Sequence, residues 1–251
     1  MSDLTALYDW EHDEFFDDVG LFGAIARRTG GPVLELACGS GRVLAPIAAA
    51  GFTVVGLDNS PSMLERARQR LRGVDAQVTL VEADIADGLP DGPFGLVVLA
   101  LDAFGLVQDP ATQRALLGDV ARKLAPGGAL VLDLANLPSL LDPPNGTPVL
   151  QKTGRCDALD AEVTKWLVRE VTFADEIMVL TSIYDVAERG GRLRRLVDRT
   201  ELRFFSRGEI ELLCSAAGLA VEGPFGDYDL GPLTDASARM IVLATVRRTV
   251  H

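Results

Sequence analysis

The stretch VLELACGSGR, residues Val33 to Arg42, decides the fold of this 251-residue chain. A short apolar run of strand length ends in a turn that contains Gly39 and Gly41, and a helical pattern follows. Glycines at such a turn allow a ligand to approach the backbone closely, and the N–H groups at the start of the next helix point towards it. The segment therefore predicts a βα unit that binds a small molecule at the turn.

Two common ligands of such a turn are disfavoured by the residues that follow it. A dinucleotide fingerprint places Gly or Ala three residues after the second glycine, where this chain has Leu44. A phosphate-binding loop needs Gly-Lys-Ser or Gly-Lys-Thr, and neither occurs in the sequence. Pyrophosphate and nucleoside triphosphates are therefore poor candidates.

Apolar runs of strand length alternate with amphipathic helical patterns over the first half of the chain, which is typical of βαβ units. After residue 136 the pattern changes to period two, which predicts a three-stranded antiparallel insertion after the fifth strand, within residues 151–205. We therefore expect an α/β fold with a doubly wound, seven-stranded, mostly parallel sheet, the first five strands being buried on both faces. The predicted strands are 32–36, 53–58, 77–84, 95–101 and 129–135, then 164–173, 176–186 and 192–205 in the insertion, and 219–225 and 240–247 at the end; the helices are 42–50, 61–71 and 110–124, with a further one from Ser206 to about residue 218.

Composition limits the functional class. The chain has 24 Lys and Arg against 36 Asp and Glu, a net charge of −12, which argues against nucleic-acid binding because that needs a basic surface. Its three cysteines form no C-x-x-C pair, so neither a disulfide framework nor a metal site is predicted. The acidic N-terminus does not resemble a secretory signal, and no apolar run reaches the length of a membrane span. We expect one soluble cytoplasmic domain over residues 1–251, with no membrane partner.

Acidic residues lie at the carboxyl ends of three consecutive predicted strands: Glu35 in the first, Asp58 in the second and Asp84 in the third. Taken singly, each has a simpler explanation, as a turn residue or as the structural partner of an arginine. Because the carboxyl ends of parallel strands line one crevice, together they favour a cationic ligand with a nucleoside part. S-adenosylmethionine, with its positive sulfonium and free ribose hydroxyls, fits that description.

These segments together resemble the class I S-adenosylmethionine-dependent methyltransferases, small-molecule branch. VLELACGSGR, the strand ending in Asp58, VEADI and LAPGGALVLDLAN carry the resemblance. Within that branch the amino-sugar N,N-dimethyltransferases have a GHL segment after the fourth strand, where this chain has Gly105-Leu106-Val107. The resemblance implies that residues 1–30 form a helical lid. It also implies S-adenosylmethionine as cofactor, held by Tyr8, Glu35, Ala37, Gly39, Gly41, Asp58, Asn59, Met63, Asp84, Ile85 and Leu101.

Methyl transfer is an in-line displacement at an activated carbon, so the protein mainly aligns the reactants and excludes water. The candidates for catalysis are His12 and Tyr8 in the N-terminal segment and Asp102 after the fourth strand. The alternatives are an amphipathic helix that packs on the core for the N-terminal segment and a turn start for Asp102. Candidate residues for binding the small-molecule acceptor are Trp10, Phe104, Asn136, Trp166, Tyr184, Arg203, Tyr228 and Arg239.

Three functions remain open at this point. The first is methyl transfer to the N or O atom of a small molecule. The second is a related transfer from an adenosyl cofactor, such as aminopropyl transfer. The third is a non-catalytic cofactor-binding or partner-binding protein, whose insertion strands would form a homodimer.

Overall fold

The computed structural model describes residues 3–74 and 76–247 of the chain. Its strands are β1 (Val33–Leu36), β2 (Val54–Asp58), β3 (Val78–Glu82), β4 (Phe94–Leu99), β5 (Leu124–Ala135), β6 (Pro148–Cys156), β7 (Ala161–Thr172), β8 (Ile177–Glu188), β9 (Leu193–Arg203), β10 (Leu219–Phe225) and β11 (Arg239–Val246). Its α-helices are α1 (Asp3–His12), α2 (Asp17–Thr29), α3 (Leu44–Ala49), α4 (Pro61–Arg70), α5 (Pro110–Lys123) and α6 (Arg207–Ala216).

The central sheet has seven strands in the order β10-β11-β5-β4-β1-β2-β3. The five strands from β5 to β3 pair in parallel, while β11 runs antiparallel to both β5 and β10. One hydrophobic cluster packs α5 and α6 on one face of the sheet, and a second packs α2, α3 and α4 on the other. The predicted doubly wound, mostly parallel fold is confirmed.

The prediction that all five parallel strands are buried on both faces is wrong for β3. Its residues are half-buried or exposed, whereas β1 and β4 are buried throughout. Among the described residues no strand pairs with the outer side of β3, so it is the edge of the sheet. Edge strands are open to solvent on one side, which explains the polar Thr79 and Glu82 there.

The antiparallel insertion forms a separate sheet of four strands, in the order β6-β7-β8-β9, where the sequence predicted three. The additional strand is β6, whose residues are mostly exposed and half-buried and include Pro148 and Gly154. Both residue types are rare in strand interiors, and an exposed edge strand needs no alternation of apolar residues. These properties explain why the sequence pattern did not reveal it.

One face of this second sheet packs against α1. Leu7 of α1 forms a hydrophobic cluster with Val163 and Val186 of the sheet, and Tyr184 joins it. The helix therefore lies between the two sheets and above the carboxyl ends of the parallel strands. None of the helices in the two described ranges is long and apolar enough to span a membrane.

Helix starts follow the predicted chemistry. The Ser60 side chain accepts a hydrogen bond from the Met63 N–H at 3.4 Å, with Pro61 at the first helical position of α4. Ser206 accepts from the Glu209 N–H at 3.2 Å at the start of α6. The α4 cap is important for the site, because it fixes the chain directly after Asp58.

Candidate functional site

The turn after β1 has an unusual backbone that only its sequence allows. Ala37, Gly39 and Gly41 all have positive φ angles, of 55°, 52° and 76°. A Cβ on Gly41 would lie 3.2 Å from the Cβ of Ala67 in α4, so the turn also requires a close approach of two backbones. Glycine meets both demands without strain. The predicted glycine turn therefore lies at the carboxyl edge of the sheet, open to a ligand.

Glu35 is an almost fully buried acid at the end of β1, with 4% of its surface exposed. One carboxylate oxygen, Oε2, has no hydrogen-bond partner among the described residues. Burial raises the pKa of Glu35 well above its usual value, against the opposing effect of nearby Arg42. A buried oxygen without a partner costs free energy, and an ammonium group would satisfy it. This orphan oxygen fits the amino group of a methionine moiety.

Asp58 is buried at the end of β2 and holds the glycine turn in place. Its Oδ2 accepts from the Gly39 N–H at 2.7 Å, and its Oδ1 accepts from the Ser60 N–H at 2.9 Å. Burial raises the pKa of Asp58, while these two backbone hydrogen bonds lower it. Each carboxylate oxygen can accept more than one hydrogen bond, so both stay able to bind a ribose hydroxyl.

A cavity of about 420 Å³ opens beside Asp58, between the ends of β1, β2 and β3 and the segment after β4. Asp84 stands in its wall and accepts from the Asn59 side chain at 3.1 Å and from the Ala86 N–H at 2.9 Å. The cavity combines apolar and acidic surface, as a nucleoside requires. It is lined by Ala37, Asp58, Asn59, Ala83, Asp84, Ile85, Ala86, Leu106, Val107, Gln108, Asp109 and Thr112.

Two of the three predicted acids, Asp58 and Asp84, line this cavity, together with residues that the sequence did not identify. Leu106 and Val107 belong to the segment that departs from the GHL pattern, and they form an apolar wall opposite Asp84. Their apolar character after the fourth strand was the available signal. Met63 lines a neighbouring cavity of about 240 Å³, together with Tyr8 and Tyr184.

The turn after β4 is held by a buried ionic network. Leu101 and Asp102 both have positive φ, of 49° and 64°, which is rare for residues other than glycine. Asp133 of β5 is fully buried and accepts from the Leu101 N–H at 2.9 Å and from the Arg239 Nε at 2.7 Å. The Tyr228 hydroxyl also donates to Asp133, at 3.1 Å. Asp133 could not be identified from the sequence, because the partners of an acid inside an apolar strand lie on other strands and are known only when the strand pairing is known.

Both carboxylate oxygens of Asp102 are occupied. Oδ1 accepts from the Ala135 N–H at 2.5 Å, and Oδ2 accepts from the Arg239 guanidinium at 2.8 Å. These two contacts hold Asp102 in the turn after β4 and join it to β5 and β11.

Helix α1 brings Tyr8 over the glycine turn. The Tyr8 ring and hydroxyl lie 3.8 Å from where a Cβ of Gly39 would stand, and burial raises the pKa of Tyr8 above its usual range. The His12 ring stacks on Tyr8 one helical turn later, with ring centroids 4.3 Å apart. These two candidates therefore lie together, close to the edge of the sheet where Glu35 and Asp58 meet.

Several candidate acceptor residues have packing or structural partners. Phe104 is fully buried and packs on Phe205 with centroids 5.0 Å apart. The Asn136 side chain donates to the Thr234 and Ser237 carbonyl groups at 3.0 and 2.8 Å. These contacts explain why both residues are buried, and they join the loop before β11 to the end of β5.

Candidates in the insertion point in different directions. Lys165 is buried, so its neighbour Trp166 points to the opposite face of β7, away from α1. Arg203 forms ion pairs with Glu176 and Glu209, and its guanidinium lies over the Phe205 ring. The Trp10 Nε1 donates to the Arg155 carbonyl at 3.0 Å, on the side of α1 that carries a different cavity. Of the predicted insertion residues, Tyr184 is the one that lines a cavity with Tyr8.

Several known proteins to which this chain is similar in sequence or fold are methyltransferases. A family described as a methyltransferase domain matches residues 33–128. A cypemycin N-terminal methyltransferase of a Streptomyces species is 32% identical over 228 residues, which cover 85% of this chain and 82% of that protein. An amino pentose methyltransferase from Micromonospora echinaspora, solved with S-adenosylmethionine bound, superposes with a TM-score of 0.76 at 23% identity and 98% coverage of both chains. A sugar N-methyltransferase from a Streptoalloteichus species gives a TM-score of 0.78 at 20% identity, covering 99% of this chain and 94% of that one. The two solved structures establish similarity of fold.

Proposed function

Because this chain belongs to the class I S-adenosylmethionine-dependent methyltransferases, we propose that it methylates the nitrogen atom of an amine on a small molecule or a peptide N-terminus. Its cofactor is S-adenosylmethionine, which supplies a methyl carbon already activated by the sulfonium. The work of the protein is therefore to bind, to align and to exclude water.

The observation that carries the amine proposal is the similarity to a relative named for N-terminal methylation, which is 32% identical over 85% of this chain, and the excess of carboxylates at the sheet edge agrees with it. Glu35, Asp58 and Asp84 end three neighbouring strands, and around them Arg42 is the nearby cation, itself paired with Asp18 at 2.6 Å. A negative field of this kind attracts a basic amine and repels a carboxylate or phosphate acceptor. The N-terminal amine methylated by the cypemycin enzyme and the amino sugars named for the solved relatives are acceptors of this kind.

Each cofactor-binding residue has a defined task in this proposal. The orphan oxygen of Glu35 accepts from the amino group of the methionine part, and the carboxylate of Asp58 accepts from the ribose hydroxyls. Asp84 accepts from the exocyclic amine of the base, while Ile85 and Leu106 contact its faces. Tyr8 covers the glycine turn and keeps water from it.

An amine attacks only as the neutral base, so an acceptor that binds as the ammonium must lose a proton before the methyl group is transferred. Asp102 forms an ion pair with Arg239 at 2.8 Å and holds the turn after β4. His12 has a lowered pKa, because burial outweighs the effect of nearby Glu11, so its ring is neutral at pH 7. We therefore assign to His12 the role of accepting the proton of the acceptor amine.

The test uses acceptors in matched pairs, each an amine and its hydroxyl or N-acetylated analogue. An amino sugar is paired with its parent sugar, and a peptide with a free N-terminus is paired with the acetylated peptide. Product mass after incubation with methyl-labelled S-adenosylmethionine identifies the methylated member. Methylation of the amine and not of its partner is the expected result.

Other outcomes point to the alternatives. Label on the hydroxyl analogue with the amine untouched would overturn the amine proposal. S-adenosylhomocysteine binding without methyl transfer to any acceptor in an amine-rich lysate extract would support the non-catalytic alternative. Transfer of an aminopropyl group would place the chain with the related transferases.

A further inference from the structure

We propose that Glu11 is a positioning residue that orients His12 and stabilises the proton that His12 takes from the ammonium form of the acceptor amine. This inference deepens the proposed function and rests on it, since it requires an acceptor that releases a proton. Glu11 lies in the last turn of α1, directly before His12.

Three polar side chains converge on the Glu11 carboxylate. Its Oε2 accepts from the Tyr184 hydroxyl at 2.9 Å, and its Oε1 forms an ion pair with the Lys165 ammonium. The Nε2 atom of His12 lies 3.6 Å from the same Oε1. Lys165 is 5% exposed, and its ammonium also lies 5.7 Å from the centre of the Tyr184 ring. The second sheet thus clamps Glu11 from one side and leaves its other side to His12.

The hydrogen bond of the other ring nitrogen fixes the tautomer of His12. Nδ1 lies 2.9 Å from the Tyr8 carbonyl oxygen, one turn back in α1. A carbonyl oxygen only accepts, so Nδ1 carries the hydrogen and the neutral ring presents its lone pair at Nε2. The basic atom of His12 therefore lies beside the Glu11 carboxylate.

This arrangement is suited to accept a proton and to hold it. The N–H bond of the bound ammonium breaks, its electron pair stays on nitrogen, and the proton bonds to Nε2. The neutral nitrogen then forms its bond to the methyl carbon as the carbon–sulfur bond breaks with its electrons left on sulfur. The resulting imidazolium stands 3.6 Å from a carboxylate, which stabilises it by direct charge attraction.

The groups around His12 have opposing effects on its pKa. Burial, Lys165 and Arg42 lower the pKa of His12, while Glu11 and the Tyr8 carbonyl raise it. Without Glu11 the ring would remain a weaker base than the reaction requires, since a base works best with a pKa near the operating pH. Glu11 therefore acts on the reaction through His12.

His12 also lies on the correct side of α1. Residues i and i+4 share a helix face, so His12 follows Tyr8, which itself covers Gly39. One continuous set of contacts leads from the glycine turn to the second sheet: the turn at Gly39 contacts the Tyr8 ring, the Tyr8 ring contacts the His12 ring, and the His12 ring lies beside the Glu11 carboxylate. This continuity is the geometric reason for placing the proton acceptor there.

The test uses NMR, because the chain has only two histidines and His251→Gln leaves His12 as a single signal. Long-range nitrogen–proton couplings identify the tautomer, and a pH titration gives the protonation midpoint. In the His251→Gln background we compare Glu11→Gln, Lys165→Met and the double variant Glu11→Gln/Lys165→Met. The double variant removes both charges, so it keeps the test valid if Glu11→Gln alone leaves Lys165 unpaired and fails to fold.

We expect the Nδ1–H tautomer, a lower midpoint in Glu11→Gln and a higher midpoint in Lys165→Met. Because the two removed charges act on His12 in opposite directions, the double variant is compared with Lys165→Met: its midpoint should be lower and its kcat at pH 7 about tenfold lower than in Lys165→Met. KM and S-adenosylhomocysteine binding should be unchanged, and the acid limb of the kcat profile should follow the NMR midpoint. The control is Glu14→Gln, which removes an exposed acid that pairs with Lys152 at 3.1 Å and should change none of these quantities.

The Nε2–H tautomer, or a midpoint that neither charge change moves, would overturn the inference. So would a kcat profile that ignores a shifted midpoint. The tautomer and the midpoint are independent of the proposed function, because the NMR measurements need neither cofactor nor acceptor. Failure of the proposed function would instead show as intact His12 titration with no amine methylated.

Discussion

Glu35→Gln should raise the stability of the free protein and weaken cofactor binding at the same time. Glu35 is 4% exposed and its Oε2 has no partner among the described residues, so the ionised form is costly until a cation arrives. The substitution keeps the size of the side chain and removes the charge. Opposite effects on folding and binding distinguish a ligand-binding acid from an ordinary structural one.

The pH dependence follows from the direction of the shift. Burial raises the pKa of Glu35 in the folded state well above its value in the unfolded chain. A carboxyl group of this kind destabilises the fold increasingly as pH rises from its unfolded pKa to its folded pKa. We therefore expect equal stability of the two proteins near pH 4 and a gain of about 1–2 kcal/mol in the free energy of unfolding for Glu35→Gln at pH 7.

Cofactor affinity should change in the other direction. A hydrogen bond to a charged group contributes about 1.5–3 kcal/mol, which is roughly a 10- to 150-fold weaker binding of S-adenosylhomocysteine. Isothermal titration should show this loss. Binding of 5′-methylthioadenosine, which lacks the amino-acid part, should be unchanged, because Glu35 is assigned to the amino group.

The matched control is Glu82→Gln, an acid at the exposed end of β3 in the same sheet. It should affect neither stability nor affinity by more than about 0.5 kcal/mol. If Glu35→Gln binds S-adenosylhomocysteine as tightly as the parent protein, or loses both ligands equally, the assignment of Glu35 is refuted.

Three further predictions concern the residues around the site. Asp58→Ala should weaken the binding of both S-adenosylhomocysteine and 5′-methylthioadenosine by about 1–3 kcal/mol in isothermal titration, since Asp58 holds the glycine turn and is proposed to bind the ribose that both ligands contain. Weaker binding of only one of the two ligands would contradict this. Arg239→Met leaves the fully buried Asp133 carboxylate unpaired, so urea unfolding should show a loss of about 3–5 kcal/mol that Arg239→Met/Asp133→Asn partly restores. Gly56→Ala would place a Cβ 2.5 Å from the Cδ1 of Leu44, so the melting temperature of this variant should fall and its free energy of unfolding should decrease by about 1–3 kcal/mol. An unchanged melting temperature would show that the Leu44 side chain moves aside at little cost.

The sequence predicted the parallel half of the fold well because its signals are local. A buried strand, a glycine turn and a capped helix are each written within ten or so residues, as VLELACGSGR and Ser60-Pro61 show. The acids at the strand ends could be placed on one edge for the same reason, since parallel strands all end there. The cavity beside Asp58 follows from these features.

The sequence could not decide which polar groups are free to react, because that depends on partners far along the chain. The ion pair of Asp102 with Arg239, which lies 137 residues further along the chain, could not be predicted from the sequence. Glu11 gave no signal at all, since Lys165 meets it from 154 residues away across the second sheet. The direction of Trp166 likewise depended on which face of β7 packs on α1.

The sequence by itself determined the family, the sheet and the position of the acids at the sheet edge, whose signals depend on residues that are neighbours in the chain. The tertiary structure alone decided that the insertion has four strands and that His12 keeps its Nε2 beside Glu11. It also decided that Glu35 keeps an oxygen without a partner. The physical reason is that burial and charge pairing are properties of packed surfaces, and packing brings together residues whose separation along the chain carries no pattern.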